Sequence, residues 1–284
     1  MYLLLFLSVF ADTFKNIYYN HFGKSVLKSN SDAILFNAVC GVGAIMFFLC
    51  TGCDFGISMF SMFCALAFAA VTASAQYFSL MSMTVGSMSL GVLFTYLGML
   101  IPTLFGIIVY KQPITVLQII GLVLMIATLF LGTGIKKGEK INIKWLVYAF
   151  SSLVMWGMVG VIQQIHQNSE YSGEMNTFLL WSFVFMTVIF VLIYYIMPHS
   201  KKNYRLKSKA TIPSLISGII IGAVNLINLY LSGNMPSIIV FPILNGGVIV
   251  LSGIAALIIY KEKLTVQQYL SIGIGIIATC ILGV

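Results

Sequence analysis

Asp12, Lys15 and Tyr19 recur at i, i+3 and i+7, the spacing of one helical face, within "SVFADTFKNIYY", a stretch flanked by apolar sequence. Counted from Tyr2 at 1.5 Å per residue, Asp12 lies about 15 Å along a helix, near the middle of a bilayer core of roughly 30 Å. A charge at that depth costs a few kcal/mol or more, so it belongs against a cavity or a partner and not against lipid. Two chemistries fit. An acid and a base on one face can meet the ammonium and carboxylate of a zwitterion, or Asp12 can carry a coupling proton. The alternative without chemistry is a self-neutralising pair that ties the helix to its neighbours, or a shifted helix that lets Lys15 reach the interface.

The elements that must hold such a pair are membrane helices. Of 284 residues, 60% are hydrophobic and 8% charged, against about a quarter charged in soluble domains. Apolar stretches of about 20 residues recur along the chain, and none shows the alternation of a membrane barrel. The opening "MYLLLFLSVFADTF" has no basic leader region, and its apolar character resumes after Lys15, which reads as a retained first helix. The net charge of +8 sits mostly in short loops and points to topology, not to nucleic acid. Five cysteines (Cys40, Cys50, Cys53, Cys64, Cys280) form no disulfide framework, and Cys50-x-x-Cys53 has no His or second Cys pair at ligand spacing. No nucleophile motif, phosphate loop, metal set or cofactor fingerprint is present, so the reading is a non-enzyme without cofactor or metal.

Cutting at polar interruptions predicts ten spans: 2–22, 33–51, 57–81, 86–110, 114–134, 145–165, 175–197, 212–231, 235–260 and 264–283. At a spacing of 150 residues, "YKQPITVLQ" from Tyr110 matches "YKEKLTVQQ" from Tyr260 at Tyr, Lys, Thr, Val and Gln, and Ser82 and Ser87 pair with Ser232 and Ser237. The matches fall in the fourth and fifth spans and in the ninth and tenth. Two five-helix halves, 1–135 and 136–284, follow, and an odd number of helices per half inverts the second in the membrane.

"LGMLIPTLFGIIVYKQPITVLQIIGLVL" and "FPILNGGVIVLSGIAALIIYKEKLTVQQYLSIGIGI" resemble the two repeat copies of the drug/metabolite transporter superfamily, specifically bacterial EamA-type transporters. The resemblance implies a ten-helix transporter with a cavity lined by the first, third, fourth, sixth, eighth and ninth helices. Substrates in that superfamily range from amino acids and drugs to sugars and nucleotide sugars. Aligned at a spacing of 144, Asp12-Thr13 falls opposite Trp156-Gly157. Many EamA-type chains resemble Trp-Gly at both places; this chain has it only in the second half.

Other polar groups fall deep in the spans: Asn37, Gln76, Thr95, Tyr96, Asn225, Asn228 and Asn245. Each reads either as an interhelical hydrogen-bond clamp or as a substrate contact, and Trp156 joins them as a candidate. In "FPILNGG", Pro242 removes a backbone donor and Gly246-Gly247 permit a bend, so this stretch and Pro102 in the fourth span are candidate helix breaks. Gln163, Gln164 and His166, followed by Glu170 and Glu174, read as a solvated helix end or an entry vestibule.

Thirteen lysines and arginines (Lys24, Lys28, Lys136, Lys137, Lys140, Lys144, Lys201, Lys202, Arg205, Lys207, Lys209, Lys261, Lys263) fall on one side and Lys111 on the other. The positive-inside rule then places both termini outside, whereas the family resemblance implies both inside. The expectation is an all-α polytopic protein of the plasma membrane, bacterial by its resemblance. It would act as a secondary transporter moving a small polar metabolite, an amino acid or related zwitterion, by alternating access, as a monomer or homodimer. Alternatives are a multidrug, organic-cation or sugar transporter of the same fold, an integral-membrane enzyme acting on lipid, and a partner or sensor subunit.

Overall fold

A bilayer offers the backbone of an apolar span no water, so each span must close its hydrogen bonds within itself. The computed structural model describes residues 1–26, 30–52, 55–85, 88–132, 143–196, 208–258 and 265–283, with the backbone alone at 16–26, 30–31, 83–84, 88–90, 208–210 and 256–257. The described residues form helices and turns, without a strand. The helices are α1 (Tyr2–Val26), α2 (Asn30–Cys50), α3 (Met59–Val85), α4 (Met88–Leu97), α5 (Leu100–Val109), α6 (Val116–Gly132), α7 (Ile143–Gln167), α8 (Met175–Ile196), α9 (Ser208–Asn234), α10 (Ser237–Ile258) and α11 (Val266–Leu282). A 3-10 turn, Ser172–Glu174, precedes α8.

Among the described residues, seven stretches are long and apolar enough to cross a membrane: Asp32–Cys50, Met59–Ser82, Gly91–Val109, Ile143–Gln167, Ser172–Ile196, Thr211–Asn234 and Ser237–Ala255. Val116–Leu131 and Val266–Leu282 are shorter apolar helices. Gly91–Val109 runs across the junction of α4 and α5, so the fourth predicted span is two helices with a break at Gly98 and Met99. There Gly98 N–H bonds Thr95 O at 3.3 Å, Met99 N–H bonds Tyr96 O at 3.1 Å and Ile101 N–H bonds Gly98 O at 3.1 Å. These are i to i−3 bonds, which tighten the turn just before Pro102, the residue that has no N–H to give.

The chain divides into two compact units, and each draws on both halves of the sequence. The first comprises Met1–Thr13, Ser74–Ile165 and Leu231–Val284. Within it α6 and α11 lie along one another, and α10 packs on α5, α6 and α11. Ser271 Oγ donates to Thr128 O at 2.9 Å between α11 and α6, and Tyr2 Oη donates to Gly283 O at 2.9 Å. Leu5, Met125, Leu129 and Leu282 are fully buried.

The second unit comprises Phe14–Ala73 and His166–Tyr230. Here α2 packs on α8, with Phe48 stacked on Phe183 at 6.0 Å, and Phe68 of α3 meets Phe178 edge-on at 5.7 Å. Against α9, Gly43 and Gly218 come together so closely that a Cβ on Gly218 would run into the Cys40 carbonyl. Small residues of this kind let membrane helices gain van der Waals contact where no hydrophobic drive exists between them.

Candidate functional site

In the first unit α3, α4 and α7 bring four polar side chains to one point. Trp156 Nε1 donates to Ser79 Oγ at 2.9 Å, Ser79 Oγ and Ser152 Oγ are 2.7 Å apart, and Thr95 Oγ1 lies 3.1 Å from Ser152 Oγ and 3.2 Å from Ser79 Oγ. Thr95 Oγ1 in turn donates to Gly91 O at 3.0 Å. An indole can only donate and a carbonyl can only accept, so both ends of this chain are fixed. The hydrogens can run from Trp156 to Ser79, to Ser152, to Thr95 and on to Gly91. Each hydroxyl spends its hydrogen inside the chain and keeps lone-pair capacity, so the cluster offers acceptors to a ligand and few donors.

Local sequence explains the convergence. Ser79 is three residues from Gln76, and Ser152 is four residues before Trp156, so each pair shares a helix face. Gly157 lets α7 approach the α4–α5 break: a Cβ there would lie 2.9 Å from Gly98 O. That contact brings the neighbouring Trp156 alongside α3 and α4. Gln76 Oε1 is buried without a hydrogen-bond partner, as is Trp145 Nε1 at the start of α7, whose ring meets Phe94 edge-on at 5.7 Å. A buried polar atom left unpaired costs about 1–3 kcal/mol, which makes Gln76 a second waiting acceptor.

The sequence candidates separate between the units. Asp12 belongs to the first, where its carboxylate acts electrostatically on the Tyr96 hydroxyl; Lys15 belongs to the second, where its ammonium acts on Cys40. Tyr19 lies where the backbone alone is described. Asn225 and Asn228, on α9, are half-buried in the second unit, and Asn225 Nδ2 donates to Ile221 O at 2.9 Å within its own helix. Asn245 does likewise on α10, donating to Phe241 O at 2.9 Å. Helix α10 is continuous through Pro242. Gly246 and Gly247 are close-approach positions, the first against the Met125 sulfur and the second against Val9. Cys53 and, apart from Lys144 and Lys111, the charged loop side chains counted for topology lie outside the described residues.

A second network in this unit joins α5, α7 and α10. Gln164 Nε2 donates to Pro102 O at 2.8 Å, Ser237 Oγ donates to Gln164 Oε1 at 2.8 Å, and Ser237 N–H donates to Gln112 Oε1 at 2.7 Å. Lys111, at φ 50°, turns the chain out of α5 so that Gln112 reaches the first turn of α10. Burial pushes the neighbouring Tyr110 phenol above its usual range. The expected solvated end of the sixth span is therefore corrected: Gln163, Gln164 and His166 are buried, Gln164 and His166 against partners from distant helices, while Glu170 is exposed. Ser79, Ser152 and Gln112 went unselected; the face shared by Gln76 with Ser79, and by Ser152 with Trp156, is the signal that could have found the first two.

Residues 143–284 match the EamA-like transporter family. No curated protein matches the chain. A solved chain described only as "Crystal structure of protein" superposes with a TM-score of 0.77 at 11% identity, covering 98% of this chain and 94% of that one, a likeness of fold. The seven membrane-length apolar stretches among the described residues, together with the family match, describe a multi-pass integral membrane protein of the drug/metabolite transporter superfamily. With half of its length matched, the chain belongs to the EamA-like transporter family.

Proposed function

We propose that the protein is a secondary transporter of a small zwitterionic metabolite, an amino acid or a close relative, working by alternating access. The spans 1–135 and 136–284 act as two inverted five-helix repeats that rock about a midplane site. The observation that carries this reading is the hydroxyl chain ending in Trp156, with the unpaired Gln76 carbonyl one turn along α3 and Asp12 acting on Tyr96. The hydroxyl oxygens and the Gln76 carbonyl accept hydrogen bonds, the preference of an ammonium group, and Asp12 adds a carboxyl group. In the sequence Lys15 follows Asp12 by three residues, and an acid with a base in one stretch is the pairing a zwitterion calls for. A purely cationic cargo has no use for Lys15, which ranks the organic-cation reading second.

Asp12→Asn is expected to abolish accumulation of labelled amino acids in vesicles while the protein melts as the wild type does. Transport by that variant at the wild-type rate would remove the proposal. A thermal-shift screen against amino acids, amines, sugars and nucleosides gives the class directly, since a ligand that binds the folded state raises its stability. A shift with amines alone would favour the organic-cation reading.

A further inference from the structure

The hydroxyl chain of the first unit is complete as a clamp between α3, α4 and α7. Ser79 accepts the indole hydrogen at one end, and at the other the Thr95 hydroxyl ends on the Gly91 carbonyl. Clamping does not account for Gln76. Among the described residues its Oε1 is buried without a hydrogen-bond partner, one turn before Ser79 on the same face of α3. A methionine would fill that place without the cost of burying an unpaired carbonyl.

Donors and acceptors are unequal at this point. Thr95 spends its one hydroxyl hydrogen on Gly91 O, and the hydrogens of Ser79 and Ser152 are satisfied within the trio whichever way they run. In the run from Trp156 to Gly91 each hydroxyl oxygen accepts one hydrogen and keeps one lone pair, while Gln76 Oε1 keeps two. The indole N–H lies in the plane of its ring, so Ser79 meets the edge of Trp156 and not its face. Phe94 and Phe78, the chain neighbours of Thr95 and Ser79, pair with Trp145 at 5.7 Å and with Tyr148 at 6.3 Å. A quaternary ammonium is held by ring faces; what the trio presents is oxygen.

We propose that this site selects its cargo by the number of hydrogens on the cationic nitrogen, with Gln76 as a specificity-determining residue: primary ammonium groups enter and N-methylated ones are refused. Selection of this kind rests on the ammonium half of the transporter reading. Positions three apart on a helix set their Cβ atoms about 5–6 Å apart, and an ammonium bonding an oxygen on either side at about 2.8 Å spans that gap. Gln76 Oε1 takes one N–H, and the lone pairs of Ser79 and its partners take the others. Gln76, Thr95 and Trp156 are half-buried while Ser79 and Ser152 are buried, which leaves the trio open on the side of the first three. Each methyl group in place of a hydrogen strands one oxygen in a dry site, at a loss of affinity on the order of tenfold.

Thermal shifts of the detergent-purified protein, titrated with each probe, give the dissociation constants that decide this. The probes are leucine, N,N-dimethylleucine, and the carboxylate-free 3-methylbutylamine with its N,N-dimethyl form. Leucine should bind on the order of a hundredfold more tightly than N,N-dimethylleucine, two of its three N–H groups being lost. In Gln76→Met that ratio should fall about tenfold. With no ligand the variant should melt no lower than the wild type, because an unpaired carbonyl has been removed. A lower melt would give the carbonyl a structural partner and overturn the assignment. A ratio that Gln76→Met leaves unchanged overturns it too, by showing exclusion through size alone. Leucine and N,N-dimethylleucine binding equally well removes the selection and keeps the zwitterion reading. Binding of 3-methylbutylamine but not of its dimethyl form or of leucine removes the zwitterion reading and keeps the selection. A wild-type protein stabilised by neither leucine nor 3-methylbutylamine overturns the ammonium site and the selection with it.

Discussion

Two helix starts 150 residues apart are built alike and set in different surroundings. At α6, Thr115 N–H donates to Gln118 Oε1 at 3.1 Å and Gln118 N–H donates to Thr115 Oγ1 at 3.2 Å. At α11, Thr265 N–H donates to Gln268 Oε1 at 2.9 Å and Gln268 N–H donates to Thr265 Oγ1 at 3.3 Å. Both are capping boxes, in which each residue's side-chain oxygen accepts the other's orphan backbone N–H. The Thr and Gln that match between the two segments are thus explained as helix-start chemistry. Gln118 is buried and Gln268 is not.

The helix middles diverge at the same spacing. Thr95 and Asn245 correspond, and each returns a hydrogen to the carbonyl four residues back. Thr95 also joins Ser79 and Ser152. Tyr96 corresponds to Gly246, where the absent side chain admits Met125. Helix starts are shared, and the polar chemistry lies in the first segment. A symmetric scaffold can carry a one-sided site, because caps depend on local sequence and a site depends on which side chains neighbouring helices contribute.

The largest effect expected from breaking this asymmetry is at Gly106. A Cβ there would run into Ser237 Oγ, with Ser237 Cβ at 2.6 Å and Gln112 Oε1 at 2.8 Å. The second segment has Ala256 at the corresponding position. Gly106→Ala should cost about 3 kcal/mol, the upper end for overpacking, seen as a lower melting temperature in detergent. A variant that melts unchanged would mean that α5 and α10 can part without loss.

Thr95→Val comes next. It deletes the link between Ser152 and Gly91 O and strands a buried hydroxyl, at about 2 kcal/mol. Asn245→Leu, removing only a bond within its own helix, should cost less. Equal losses in thermal melts would show that the two corresponding positions do the same work.

Hydropathy made the apolar spans legible, and the repeat made the two helix starts legible without showing why they recur. Prolines were a partial guide: Pro102 follows a break, and Pro242 sits within a continuous helix, where Asn245 bonds the Phe241 carbonyl. Ser79 and Ser152 were not legible as a pair, because a lone hydroxyl in a membrane helix commonly bonds its own backbone, as Thr13 and Ser182 do here. His166 was misread as the end of a solvated helix. Its partners Ser61 and Phe178 lie in other helices, and nothing in the local sequence around Gln163 announces them.

The two smallest effects test the shared helix starts directly. Thr115→Ala should cost about 1 kcal/mol, the typical loss of an N-cap. It also leaves the Gln118 backbone N–H, at a buried position, without the Thr115 Oγ1 that accepted it. Thr265→Ala removes the same box at an exposed end, where water replaces the lost partners, and should cost about 0.5 kcal/mol. In each case the first backbone bond of the helix survives the substitution: Ile119 N–H to Thr115 O and Tyr269 N–H to Thr265 O, both at 3.1 Å. Any difference between the two melts therefore reports the surroundings of the cap, not its geometry. Matching losses would place the whole effect in the local helix start, and a larger loss at Thr265 would reverse the burial argument.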